Sequence, residues 1–294
     1  MAKQLRLLSD PEAGHKDERL TKKQAIKFSG LDKKTFENYF QVAGEFACVK
    51  RKGKGGRYLF VRSSIEEWKV DHKWRCVELT LDDYSLCLDF ALAKHFAGYV
   101  PSDWSTGRQR EFGQKVTNWI KGQLGEVAVK KFFEREFKAI VELDFEIREG
   151  IVAQDIILVT KDGKTREPKV GVGIKSSKPK SAYLVLDKKE TAPERRKSDF
   201  YIFCRPDIPD DHLLRLTKDR IVEIIKGQQH YAKYKDQMKD FTNINCEIAG
   251  WCSLGELERV TSIPGQKFDG VRFVKKSGQL HRSRKSWEEL ISKL

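Results

Sequence analysis

Three residues of this chain have types and positions that could do chemistry together. Glu126 lies mid-helix in GQLGEVAVKKFF, Asp155 opens the apolar run DIILVT behind a Gly-containing turn, and Lys175 lies in the strand VGVGIKSS. Carboxylate oxygens are the ligands that hard cations such as Mg²⁺ take. A bound metal polarises a phosphate and lowers the pKa of a water, and a lysine nearby can orient that water and stabilise charge on the phosphate. Each residue alone has a plainer reading. Glu126 would be an acid on a helix surface, Asp155 a cap before a strand, and Lys175 an exposed strand residue.

Bringing the three together needs one helix and at least two strands, and the sequence supplies them. LTLDDYSLCLDFALAKHFAGY reads as an amphipathic helix, followed by the loop YVPSDWSTGRQ. REFGQKVTNWIKGQLGEVAVKKFFEREF is a long helical stretch with Phe112, Val116, Trp119, Ile120, Leu124, Val127, Ala128 and Phe132 on one broad face. Strands follow at KAIVELDFEI, GIVAQDIILVT, KVGVGIKSS, AYLVLD and SDFYIFCRP, with a D-G turn at Asp162-Gly163. A helix is expected over KDRIVEIIKGQQHYAKYKDQM and a short one at SWEELISKL, with EIAGWCSLGELERV between them. This order predicts an α/β (α+β) domain over residues 77–294, with a central mixed β-sheet flanked by helices.

The order helix-Glu, strand-Asp, strand-Lys resembles the PD-(D/E)XK nuclease fold, the core of many restriction endonucleases. The resemblance covers roughly residues 107–255, including Ser176-Ser177 after the lysine and the strand SDFYIFCRP. It implies that Asp155 is the main metal ligand, that Glu126 holds the metal or one of its waters, and that Lys175 sits at the attacking water. The cofactor would be Mg²⁺, and the reaction metal-assisted hydrolysis of DNA phosphodiesters, as in type II restriction endonucleases.

One position departs from that pattern. The acid-x-Lys triplet reads Gly173-Ile174-Lys175, so the strand carboxylate is missing. Glu167-Pro168-Lys169 and Asp162-Gly163-Lys164 lack the apolar strand context, and proline suits an interior strand poorly. Parity supports Lys175, because Val170, Val172 and Ile174 share one face while Gly171, Gly173 and Lys175 share the other. That bare glycine surface would leave room for a DNA backbone or a metal. Three explanations stand side by side. A carboxylate from elsewhere substitutes, with Glu126 first and Glu142, Asp144 or Glu146 behind it; an inactivating change has been introduced; or the fold has been kept for binding alone.

Ahead of this region, residues 1–20 are polar and aperiodic and read as a flexible or loosely docked arm. Residues 21–76 then form two short helices around Ser29-Gly30, capped at Thr21 and Asp32, and a hairpin FACVKRKGKGGRYLFVRSS. A further helix follows with Ser64 as its expected cap and Glu67 completing a capping box. The order resembles the winged helix-turn-helix of the excisionase and MerR-type families. Lys33, Lys34, Glu37 and Asn38 fall on the exposed face of the second helix, where they could reach base edges. Lys50, Arg51, Lys52, Lys54 and Arg57 load the wing with charge suited to phosphates. Arg108 and Arg110 flank Trp104, the aromatic best placed to stack on a base.

Composition agrees with a polyanion partner. The net charge is +14, and 39% hydrophobic residues with 17 Phe and 6 Trp are enough for real cores. No window is apolar enough for a membrane span, and the charged N-terminus lacks a signal-peptide core, so a cytoplasmic protein is expected. The six cysteines form no C-x-x-C pair and read as small buried hydrophobes. His95 and His230 read as surface or packing residues, and His281, in QLHRSRK, as a possible phosphate contact. Restriction enzymes of this kind often act as homodimers on palindromic duplex DNA. The reading from a different class is a non-catalytic DNA-binding regulator on a degenerate nuclease fold. A third, RNA binding, lacks the aromatic strand motif that RNA-recognition sheets carry.

Overall fold

In the computed structural model, the structure describes residues 18–50, 58–98, 111–147, 155–191, 198–239 and 242–294. The chain enters through β1 (Arg19–Leu20), α1 (Lys22–Ser29) and α2 (Lys33–Glu37), which runs on as a wider turn over Asn38–Val42. Thr21 caps α1 reciprocally with Gln24, and Gly30, at φ 76°, ends it. The Asp32 carboxylate caps α2 by accepting from the Lys34 and Thr35 amides, both at 3.0 Å. β2 (Cys48–Lys50), β3 (Tyr58–Val61) and α3 (Arg62–Arg75) complete this unit, with β3 between β1 and β2. Its core is aromatic: Phe36, Phe40, Phe46, Phe60 and Trp68 are buried, with the Phe40 and Phe60 rings edge-on at 4.4 Å.

Two expectations change here. Residues 19 and 20 are not part of an arm, because Arg19 and Leu20 pair with Val61 and Phe60. Ser64 is not a cap, because α3 already starts at Arg62, and its hydroxyl instead accepts from the Ala47 amide at 3.3 Å.

The second unit runs β4 (Cys76–Leu79), α4 (Leu81–Phe96), α5 (Phe112–Phe137), β5 (Ile140–Leu143), β6 (Ile156–Lys161), β7 (Lys164–Arg166), β8 (Val172–Ser176), β9 (Tyr183–Asp187) and β10 (Phe200–Pro206). Then come α6 (His212–Leu216), α7 (Lys218–Ile224), α8 (Tyr231–Gln237), β11 (Ile244–Ser253), β12 (Glu258–Ile263), β13 (Gln266–Lys276) and α9 (Arg284–Lys293). The architecture is α+β. Its central sheet is mixed, in the order β4-β11-β10-β8, with β8 parallel to β10 and the other pairs antiparallel. The apolar stripe of α5 packs on one face through Val116, Ile120, Leu124, Val127 and Phe132. The other face is shared between α3, which packs on β11 through Arg75, and a second sheet. Leu184 and Leu186 of β9 lie there against Tyr201, Phe203 and Ala249, and β9 belongs to the antiparallel sheet β12-β13-β9. The single helix expected over residues 218–238 is broken into α7 and α8, with Gly227 at φ 86° between them.

The two units meet across a buried ionic seam. Arg205 of β10 donates to Glu45 and Glu247, each at 3.0 Å, and Arg75 of α3 donates to Glu247 at 3.2 Å. All four side chains are buried. Burial alone would raise both carboxyl pKa values, but Arg205 together with Arg282 and Ser277 at Glu45, and with His72 and Arg75 at Glu247, outweighs it and both are lowered. Beside the seam, the Gly278 amide donates to the Ala43 carbonyl at 3.2 Å, and a Cβ at Gly278 would collide with that carbonyl.

Candidate active site

The three residues singled out by type and order converge on β8, the edge strand of the central sheet. Glu126 is carried there by α5. The helix comes unusually close to the sheet one residue earlier, at Gly125, where a Cβ would collide with Ser176 Oγ and lie 3.1 Å from Cys204 Cβ. Glycine is therefore needed for α5 to seat, and seating it buries Glu126. Gln123, one turn back, donates from Nε2 to Glu126 Oε1 at 3.2 Å. The other amide atom, Gln123 Oε1, is buried without a hydrogen-bond partner.

Asp155 stands just before β6 and is stitched to both neighbours. Its amide donates to the Val172 carbonyl at 3.1 Å, and its own carbonyl accepts from the Asp144 amide at 3.3 Å. Its carboxylate accepts from the Ile174 amide of β8. That bond fixes the carboxylate beside Lys175, the next residue. The Lys175 ammonium reaches Glu190 Oε1 at 2.7 Å.

Electrostatics set this cluster apart. Burial raises the Glu126 pKa well above the ordinary carboxylate range, and the charge on Asp155 adds to the shift. Burial also raises Asp155, although Lys175 and the Ile174 amide oppose it. Burial penalises the Lys175 ammonium, but Glu190 and Asp155 more than restore it, so its pKa is raised. Among the described residues, no three Asp, Glu, His or Cys side chains are gathered as a ready metal cluster. The donor chemistry nevertheless fits a hard cation: two buried carboxyl groups whose charges repel, and an orphaned amide oxygen beside one of them. Mg²⁺ bound there would keep most of its waters.

The expected strand parity holds for Val172 and Ile174, which enter the core under α5, and for Lys175, which points to the other side. The bare glycine surface does not. A Cβ at Gly173 would meet Ser198 Oγ at 3.0 Å and the Tyr201 ring at 3.1 Å, so residues 198–201 already fill the space expected for DNA or a metal. Of the substitute carboxylates, Glu142 and Glu146 are exposed, whereas Asp144 is buried and its charge acts on Glu126 and Asp155. Glu190 was missed. It lies in a short 3₁₀ turn at Lys188–Glu190, and its only sequence signal is an acid just past the strand that follows the lysine strand.

On the first unit, Lys33 and Lys34 are exposed on α2. Glu37 and Asn38 are engaged within the molecule, contrary to the expected base-reading role. Glu37 pairs with Lys22 at 2.6 Å, and the Asn38 amide donates to the Lys180 carbonyl in the loop after β8. The backbone of Lys50 ends β2, and Arg51, Lys52, Lys54, Arg57, Trp104, Arg108 and Arg110 lie outside the described residues. His281 is not turned to a phosphate either, since its Nε2 is 2.8 Å from Glu256 Oε1. No helix among the described residues is long and apolar enough to cross a membrane. Comparison with family models, curated proteins and solved structures found no match.

Proposed function

We propose that this chain is a Mg²⁺-dependent endodeoxyribonuclease of the type II restriction kind, cutting cytoplasmic duplex DNA as a homodimer. The observation that carries this reading is the convergence of Glu126, Asp155 and Lys175 on one sheet edge, with the carboxyl groups buried and under-neutralised. Perturbed acids gathered beside a lysine favour a working site over a packing one.

Asp155 would hold the metal, and Glu126 the metal or one of its waters. Mg²⁺, when bound, would polarise the phosphate and acidify a water. Lys175 would orient the attacking water and stabilise charge on the phosphoryl oxygens. Lys33 and Lys34 would contact DNA phosphates and position the duplex.

A second reading is favoured by one observation. Gly173 lacks the acid, and its space is filled by Tyr201. On that reading the fold binds DNA without cutting it. Incubating the protein with mixed-sequence duplex DNA, with and without Mg²⁺, separates the two. Discrete fragments should form only with Mg²⁺, and Lys175→Ala should lower cleavage by ~10²- to 10³-fold while leaving DNA binding intact. Binding without cleavage by the unaltered chain would favour the second reading. Equal cleavage by Lys175→Ala would sink the site assignment.

A further inference from the structure

The missing acid and an unassigned one are linked by a single residue. Tyr201 of β10 pairs with Gly173 across the parallel ladder. Its ring stands where a side chain at 173 would begin, so an acid there could not be accommodated without moving a buried aromatic. The same side chain sends its hydroxyl to the Glu190 carbonyl at 3.3 Å. The Asp187 amide donates to Glu190 Oε2 at 3.0 Å. With one carboxylate oxygen held by the turn, the other is aimed at Lys175 Nζ, 2.7 Å away. Tyr201 thus both crowds the position of the usual carboxylate, together with Ser198, and secures another. An independent sign of an incomplete site is the orphaned Gln123 Oε1 beside Glu126.

We propose that Glu190 is the carboxylate partner of Lys175, supplied from the turn after β9 in place of the acid missing at Gly173, and that it holds the ammonium against Asp155. This rests on the nuclease reading. Glu190 is a positioning residue, since it touches the lysine rather than the reacting phosphate. A lysine has a long, freely rotating stem, and a charge-assisted bond at 2.7 Å selects one placement.

The test uses the full chain with Mg²⁺ and mixed-sequence duplex DNA under single-turnover conditions. Binding is measured in Ca²⁺. Glu190→Gln should bind DNA normally and cut ~10- to 100-fold more slowly, the usual cost of losing a supporting partner. Glu190→Asp, which keeps a carboxylate, should recover most of the rate. Tyr201→Phe should fall between them, since it loosens the turn but keeps the carboxylate. A Glu190→Gln variant with an unaltered rate would overturn the proposal and leave the nuclease reading standing. So would equal losses in Glu190→Gln and Glu190→Asp, which mark a merely structural role. If the unaltered chain does not cut at all, both readings fall together.

Discussion

Two buried charge clusters in this molecule behave in opposite ways. At the seam between the units, Glu45 and Glu247 are matched by Arg75 and Arg205, and both carboxyl pKa values are lowered. At the edge of β8, the described acids Glu126, Asp155 and Glu190 gather around Lys175, and the Glu126 and Asp155 pKa values are raised. Burial acts the same way in both places, so the difference is one of charge balance. At the seam guanidinium groups hold both acids in their charged form. At the β8 edge burial and the neighbouring acids favour the neutral form, and perturbed buried acids of this kind favour a ligand site.

The largest effect should come from unbalancing the seam. Arg205→Met removes the guanidinium shared by two buried carboxylates, leaving Glu247 to Arg75 and Glu45 to the more distant Arg282, and should cost ~3–5 kcal/mol, read by urea denaturation. A loss below ~1 kcal/mol, the size typical of exposed pairs, would mean the seam is solvated in solution. At the β8 edge the sign should reverse. Glu126→Gln removes a strained acid and should raise stability by ~1 kcal/mol, the usual gain when a functional site is relaxed. If Mg²⁺ raises the Tm of the unaltered protein, as the nuclease reading requires, Glu126→Gln should diminish that shift. A destabilised Glu126→Gln would equate the two clusters and remove the contrast.

The pH dependence sharpens the same point. Glu45 and Glu247 have lowered folded pKa values, so their stabilisation is present above the unfolded value of ~4.3 and lost as pH falls through their folded values. Glu126 has a raised folded pKa, so its penalty is present at neutral pH and relieved as pH falls through that value. The Tm advantage of Glu126→Gln should therefore shrink on acidification, while the loss in Arg205→Met should shrink only once the seam carboxylates protonate. Parallel Tm-pH curves for both variants would contradict this. The effect of Asn38→Ala, which removes one amide-to-carbonyl bond, should be small beside that of Arg205→Met, costing ~0.5–1.5 kcal/mol.

The sequence made the long α5 helix, the order of the strands and the convergence of Glu126, Asp155 and Lys175 readable, because helical period, strand alternation and order along the chain are local signals. It could not reveal that Tyr201 fills the space over Gly173, since that depends on the register of β10 against β8. Nor could it reveal Glu190, whose approach depends on a three-residue turn. The seam did leave a trace. Arg205 and Glu247 interrupt the apolar runs FYIFCRP and INCEIAGW, and a charge within a buried strand needs a partner. What local pattern could not supply was that the partner Glu45 lies in the other unit.

The backbone contact between Gly278 and Ala43 has a consequence for descent and for engineering. A side chain at 278 would prise the two units apart where their charges are buried, so they cannot be exchanged like beads on a string. On the nuclease reading, new DNA preferences would have to arise by changing exposed residues of α2 in place, with the cutting half already attached.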